Sequence, residues 1–320
     1  LIARAAAAVS AAVAALLLGG CAALFTPPQT AALQASPPPD LPARAERTEV
    51  PFFPQTRDHC GPAALATALA DIGLPADPDR LADAVFLPSR GGSLQLEMLG
   101  GARRQGAVAT RLPRELAAVL REVAAGHAVV VLQNLGLELI PRWHYAVIVG
   151  YDLAERELIL RSGTTQRETL ALRTFEYTWA RGGRWAVAVL PPDRLAATAT
   201  EVDAQDAAIG FERAAPPARA ALAYRALLAR WPANLLAGIG LGNTLNAAGD
   251  AAGARAAFEA VAERHDSAVA WINLARLRLD AGDRTGARTA AERAVQRADA
   301  TEPAWRDAAR ATRATTDESH

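Results

Sequence analysis

This 320-residue sequence is short of thiols, with two cysteines and one methionine, and it carries no net charge, 34 basic residues facing 34 acidic ones. An even balance supplies neither the basic stripe that nucleic acid requires nor a field for an acidic lipid surface, so neither is expected as a partner. Two thiols close at most one disulfide, and the setting of the first, Cys21, argues against even that. Beyond Cys21 no apolar run reaches the ~20 residues needed to span a bilayer. Alanine is what the chain has in plenty. It swells the hydrophobic content to 51% and marks a globular, helix-rich protein. The roughly 300 residues that follow the first segment suit two domains.

That first segment, LIARAAAAVSAAVAALLLGGC, holds one Arg, a long apolar run and small residues before the cysteine, the pattern of a targeting sequence. Leu18-Gly19-Gly20-Cys21 resembles the lipobox of bacterial lipoproteins. The resemblance implies a signal peptide over 1–20, cleavage before Cys21 and acylation of Cys21, so that the membrane is a partner through lipid. More than one acyl chain on a residue satisfies the requirement for stable anchoring. The competing reading, an uncleaved anchor, needs a longer apolar run than the segment has. Ala22 follows Cys21 where inner-membrane lipoproteins carry Asp, which by resemblance implies the outer membrane, periplasmic side. Cys60 is then the single thiol left, either a small buried hydrophobe or a reactive group.

Residues 21–49 are rich in Pro, Ala and polar groups without a sustained period and read as a lipidated Cys with a tether of partly polyproline character. A first domain follows over 50–193, helical early and β-rich late. HAVVVLQN, HYAVIVGYD, ELILRSG and RWAVAVLPP are short β-branched runs with Gly, Asn or Pro boundaries, and helices followed by a run of strands predict an α+β arrangement. After a linker over 194–206 an internal repeat appears. AAGDAAGARAAFEAVAER superimposes on DAGDRTGARTAAERAVQR at a shift of 33 residues, Gly249-Asp250 over Gly282-Asp283, and an earlier partial copy puts Tyr224 over Phe258. Period and turn resemble the tetratricopeptide repeat, over 207–312, with a disordered tail over 313–320. The resemblance implies a protein partner. Two clear copies and a partial one sit at the minimum for a stacked array and predict repeats that fold weakly alone.

Cys60 begins the helix GPAALATALADIG, in which Leu65, Leu69 and Ile72 share a face and Pro62 falls in the first turn. A thiol at a helix N-terminus is stabilised as thiolate, and reactive cysteines in such settings have pKa values of about 3.5–7.5. Gln55, five residues upstream, can offer its amide with the Cys60 N–H to an oxyanion. Of five histidines, His320 is terminal, His265 lies in the repeats, His59 is adjacent to Cys60 and points elsewhere, and His127 precedes a buried strand. His144 opens HYAVIVGYD, where a strand-borne imidazole is rigidly held as general base and acid.

Gln55-x4-Cys60-Gly61-Pro62-Ala63-Ala64-Leu65, then Gly91-Gly92-Ser93 with a helix ending at Gly106, then His144 through Tyr151, is similar to the bacteriocin-processing, double-glycine type of cysteine peptidase and its papain-like relatives. The resemblance implies a papain-like α+β fold followed by an all-α tetratricopeptide-repeat domain, with Cys60 as nucleophile, His144 as general base and acid, Gln55 in the oxyanion hole, a peptide or protein substrate and no cofactor or metal. One position departs from it. Where the family orients its histidine with Asp or Asn, this chain reads Arg161-Ser162. Asp152 is no substitute, since eight residues of strand put it about 26 Å from His144. A hydroxyl such as that of Ser162 accepts a ring N–H without adding charge and stabilises imidazolium less well. Three readings follow: a membrane-tethered cysteine peptidase whose repeats position a substrate or partner; a weak or inactive papain-like binding scaffold; and acyl transfer or amide hydrolysis on a non-peptide substrate by the same residues.

Overall fold

A computed structural model describes residues 26–55 and 59–318; the expected signal segment and Cys21 lie outside the described residues. The chain forms two compact units. The first takes the chain to Met98 together with Arg111–Val189, and the second takes Leu99–Thr110 together with the chain from Leu190.

In the first unit α1 (Pro28–Ala35) and β1 (Arg44–Glu46) precede α2 (Cys60–Asp71), α3 (Pro78–Val85) and a small hairpin of β2 (Phe86–Leu87) and β3 (Gly92–Ser93). Helix α4 (Gln95–Arg104) leads into the second unit, which takes most of β4 (Val108–Arg111). The chain returns through α5 (Leu116–Ala124), β5 (Val129–Asn134), β6 (Trp143–Asp152), β7 (Glu157–Ser162), β8 (Thr165–Ala171), α6 (Leu172–Arg181) and β9 (Ala186–Leu190). Strands β9-β5-β6-β7-β8 form an antiparallel sheet, and β1 pairs β6 over Gly150–Asp152. The β6–β7 turn is closed by Asp152, whose Oδ1 accepts from the N–H groups of Ala154 and Glu155 at 2.9 and 3.1 Å. β5, β6, β7 and β9 are buried almost throughout, so they read as near-continuous apolar runs. An α+β unit is what the sequence pattern predicts.

The segment expected to be a tether is instead part of this unit from residue 28 on. Pro28 starts α1 at a position where its missing N–H costs nothing. The backbone of Gln29 and the backbone and hydroxyl of Thr30 donate to the fully buried Glu176 of α6 at 3.0, 2.6 and 2.7 Å. Arg121 of α5 grips Asp40 through two bonds of 2.6 and 3.1 Å. A buried carboxylate demands donors, and these residues supply them.

The second unit is helical beyond Thr200: α7 (Glu201–Glu212), α8 (Pro217–Arg230), α9 (Leu235–Ala247), α10 (Ala251–His265), α11 (Ala268–Asp280), α12 (Arg284–Ala300) and α13 (Arg306–Glu318). Neighbours in sequence pack on one another, as in stacked repeats. The 33-residue register has a direct structural basis. Asp250 and Asp283 each cap a helix by accepting from the N–H three residues on, Gly253 and Gly286, both at 2.9 Å. Gly249 and Gly282 turn the chain at φ of 84° and 79°. Tyr224 and Phe258 seat their rings where a Cβ on Gly240 or Gly242 would fall 2.4 Å from them. Two boundaries differ from expectation. A capping box between Thr200 and Asp203 starts a helix inside the expected linker, making the first repeat complete, and α13 continues to Glu318 through most of the expected tail. No helix among the described residues is long and apolar enough to cross a membrane.

Candidate active site

Cys60 is the first residue of α2, and Gly61 through Leu69 behind it are buried. Small side chains let the helix sit deep: a Cβ on Gly61 would lie 2.4 Å from Ser93 Oγ and 2.7 Å from Ser93 Cβ, so only glycine allows β3 to approach. The macrodipole therefore ends on a half-buried sulfur beside a strand. His59, before it, sets its ring edge-on to Phe86 at 5.1 Å.

β6 carries His144 at its start. Its Nε2 lies 2.9 Å from Ser162 Oγ at the end of β7. The adjacent Arg161 points elsewhere: its guanidinium is buried and donates to the carbonyls of Val50, Thr48 and Gln166 at 3.1, 3.0 and 2.7 Å. Arg161 thus holds the segment that leads to Gln55. The Gln55 N–H in turn donates to Gly163 O at 2.9 Å, in the turn after Ser162. His144, Ser162 and the Gln55 backbone are brought together by these bonds, while Cys60 lines a cleft with Trp143 and Tyr145, the two residues that flank His144 in β6. Burial lowers the His144 pKa from its ordinary 6.5, with Glu168 opposing and Arg142 reinforcing the shift. Burial also raises the Tyr145 phenol, and the charge of Cys60 adds to that. His127 has a different occupation, its Nδ1 lying 2.7 Å from the buried Glu122.

A cleft of about 680 Å³ opens at Cys60. Gly91 to Leu94 form one side of its lining and Arg181 to Gly183 another, with Leu132, Trp143 and Tyr145 contributed by the sheet. Leu132 pairs Tyr145 in register. The Tyr145 hydroxyl donates to Ser93 O at 3.3 Å, while Ser93 Oγ is buried without a hydrogen-bond partner. Of these walls the sequence marks Gly91-Gly92-Ser93 through the family resemblance, whereas Arg181 to Gly183 was not found by reading it. The site presents a thiol at a helix end on a cleft and, at the start of β6, an imidazole whose pKa burial lowers, beside a serine hydroxyl.

Residues 47–187 match the family described as Peptidase_C39 like family. Among solved structures, a putative C39-like peptidase from Bacillus anthracis is 17% identical, covering 46% of this chain and 97% of its own at a TM-score of 0.39. The peptidase domain of Streptococcus ComA is 18% identical, covering 45% and 99% at 0.37. The Yersinia enterocolitica type III secretion chaperone SycD, in complex with a peptide of the translocator YopD, is 14% identical, covering 37% and 95% at 0.34. No curated protein matches the chain. The chain carries a distant C39-like peptidase-family domain followed by a tetratricopeptide-like repeat region.

Proposed function

We propose that the first unit is a papain-like scaffold that binds polypeptide in the cleft at Cys60 and cleaves it weakly or not at all, while the repeats hold a protein partner. His144 carries this reading. Burial disfavours its protonated form, and Ser162 offers a hydroxyl where a carboxylate would stabilise imidazolium. Both features weaken the imidazolium that a thiolate–imidazolium pair needs. A second reading, an active cysteine peptidase with Gln55 in its oxyanion hole, is favoured by the position of Cys60 at the α2 N-terminus. Attachment to the outer membrane through lipid on Cys21, facing the periplasm, completes the proposal and rests on the lipobox resemblance.

Labelling Cys60 with an electrophilic thiol probe across pH, alongside cleavage of an unfolded polypeptide, separates the readings. The scaffold predicts labelling at pH 6 no faster than that of an ordinary thiol, undiminished peptide binding in Cys60→Ala, and a gain in labelling for Ser162→Asp. Fast labelling at pH 6, with turnover that falls about 10²–10⁴-fold in His144→Ala, would establish the peptidase instead.

A further inference from the structure

Residues 135–142, joining β5 to β6, put large apolar side chains into water. Leu137, Leu139 and Ile140 are 70%, 95% and 71% exposed, and Trp143 at the foot is 56% exposed. The loop is built to hold them there. Buried Asn134 accepts through Oδ1 from the N–H groups of Gly136 and Arg142 at 2.9 and 2.8 Å, and its Nδ2 donates to Leu137 O at 3.3 Å. The Leu135 N–H closes the base on Arg142 O at 2.8 Å. Gly136 is confined as well, since a Cβ there would meet Ile140 O at 2.3 Å. A buried polar side chain fixing a tip of exposed aliphatics indicates a surface that is covered in use.

We propose that this loop is a membrane-contact element that seats its aliphatic tip in a lipid surface, with Trp143 at the interface. Its exposure favours lipid over protein: aliphatics 70–95% exposed would need a matching pocket on a protein partner, whereas acyl chains conform to them. Its chemistry agrees, with aliphatics at the tip and an aromatic and Arg142 at the foot, as in interfacial anchors. Exposed Glu138 keeps insertion shallow. With lipid on Cys21, the chain itself would tether this unit to a bilayer. Arg181, at the end of α6, donates to Asn134 O at 3.2 and 3.1 Å, and α1 is bonded to Glu176 of the same helix, fewer than two turns away. Five residue steps separate Cys21 from Thr26, a reach of at most about 18 Å. This nearness rests on the Cys21 reading under the proposed function; the loop's own chemistry does not. Trp143 also lines the cleft, so the cleft would open at the lipid surface.

The full chain carrying Cys21→Ser, Cys60→Ala and Leu139→Cys, labelled at the one introduced thiol with an environment-sensitive fluorophore, is mixed with phosphatidylcholine vesicles; a control carries Arg310→Cys in place of Leu139→Cys. The expected result is a blue shift and a several-fold intensity gain at position 139, quenching by lipids brominated near the headgroup, insensitivity to salt, and no change in the control. Adding Ile140→Asp should abolish the shift while far-ultraviolet circular dichroism stays the same. An aqueous spectrum at position 139 in a chain that nonetheless sediments with vesicles overturns the loop proposal and leaves N-terminal attachment intact. A shift produced by added polypeptide and not by vesicles also overturns it, in favour of protein docking. Acylation of Cys21 is read separately, by fatty-acid labelling of the unsubstituted chain.

Discussion

His144 reports on its surroundings through stability as well as chemistry. Its folded pKa lies below the ordinary 6.5, so the unfolded chain takes up the proton first. The contribution is fully present above about pH 6.5 and is lost as pH falls through the lowered folded value. Denaturant midpoints at pH 7.5 and 5 should therefore differ more for the native chain than for His144→Gln, and equal differences would remove the burial argument. Gly61 is a second sensitive position. Gly61→Ala forces Ser93 away from α2 and is expected to cost about 1–3 kcal/mol in urea unfolding, with the cleft distorted. Cys60 and His144 stood out as candidates through short motifs, and Ser162 by standing where the resembled family carries Asp or Asn, a position that strand pairing brings 2.9 Å from the His144 ring. Tyr145, Trp143 and Arg181 did not, because their place at the cleft comes from strand register and from the end of α6.

Helix starts in the repeats follow one rule. Asp250 and Asp283 make the same bond to a glycine amide 33 residues apart, so Asp250→Ala and Asp283→Ala should each cost about 1 kcal/mol and add nearly independently in the double variant. Calorimetry of the full chain measures this. The repeat was readable because glycine, aspartate and an aromatic recur in a fixed frame. The helix α1 was hidden by prolines that suggest a tether, although Pro28 lies at a helix start, and only the buried Glu176 explains why the segment docks. The Thr200–Asp203 box was a local signal for α7 that the surrounding alanines masked.

At the scale of the molecule the matched region 47–187 is not a complete folding unit. A chain beginning at residue 47 loses the Gln29 and Thr30 donors and leaves Glu176 buried without them, a cost of about 3–5 kcal/mol. It should melt earlier than a chain beginning at residue 26, with Glu176→Leu recovering part of the loss. The sequence suggested repeats too few to stand alone. In the second unit α13 closes the array, Ala309 packing with Ala268, Ile272, Ala294 and Ala298. Removing residues 306–320 should lower the melting temperature of that unit more than any single cap substitution.

The sheet of the first unit ends at β8, and that end governs how the protein behaves when crowded. An outermost strand presents a row of backbone groups on which another chain can grow. Here a newcomer would meet Gln166, Arg167 and Thr169, all exposed, along a strand only seven residues long. Desolvating such groups opposes strand-on-strand growth, so this edge should stay out of fibrils and domain-swapped pairs even at high concentration.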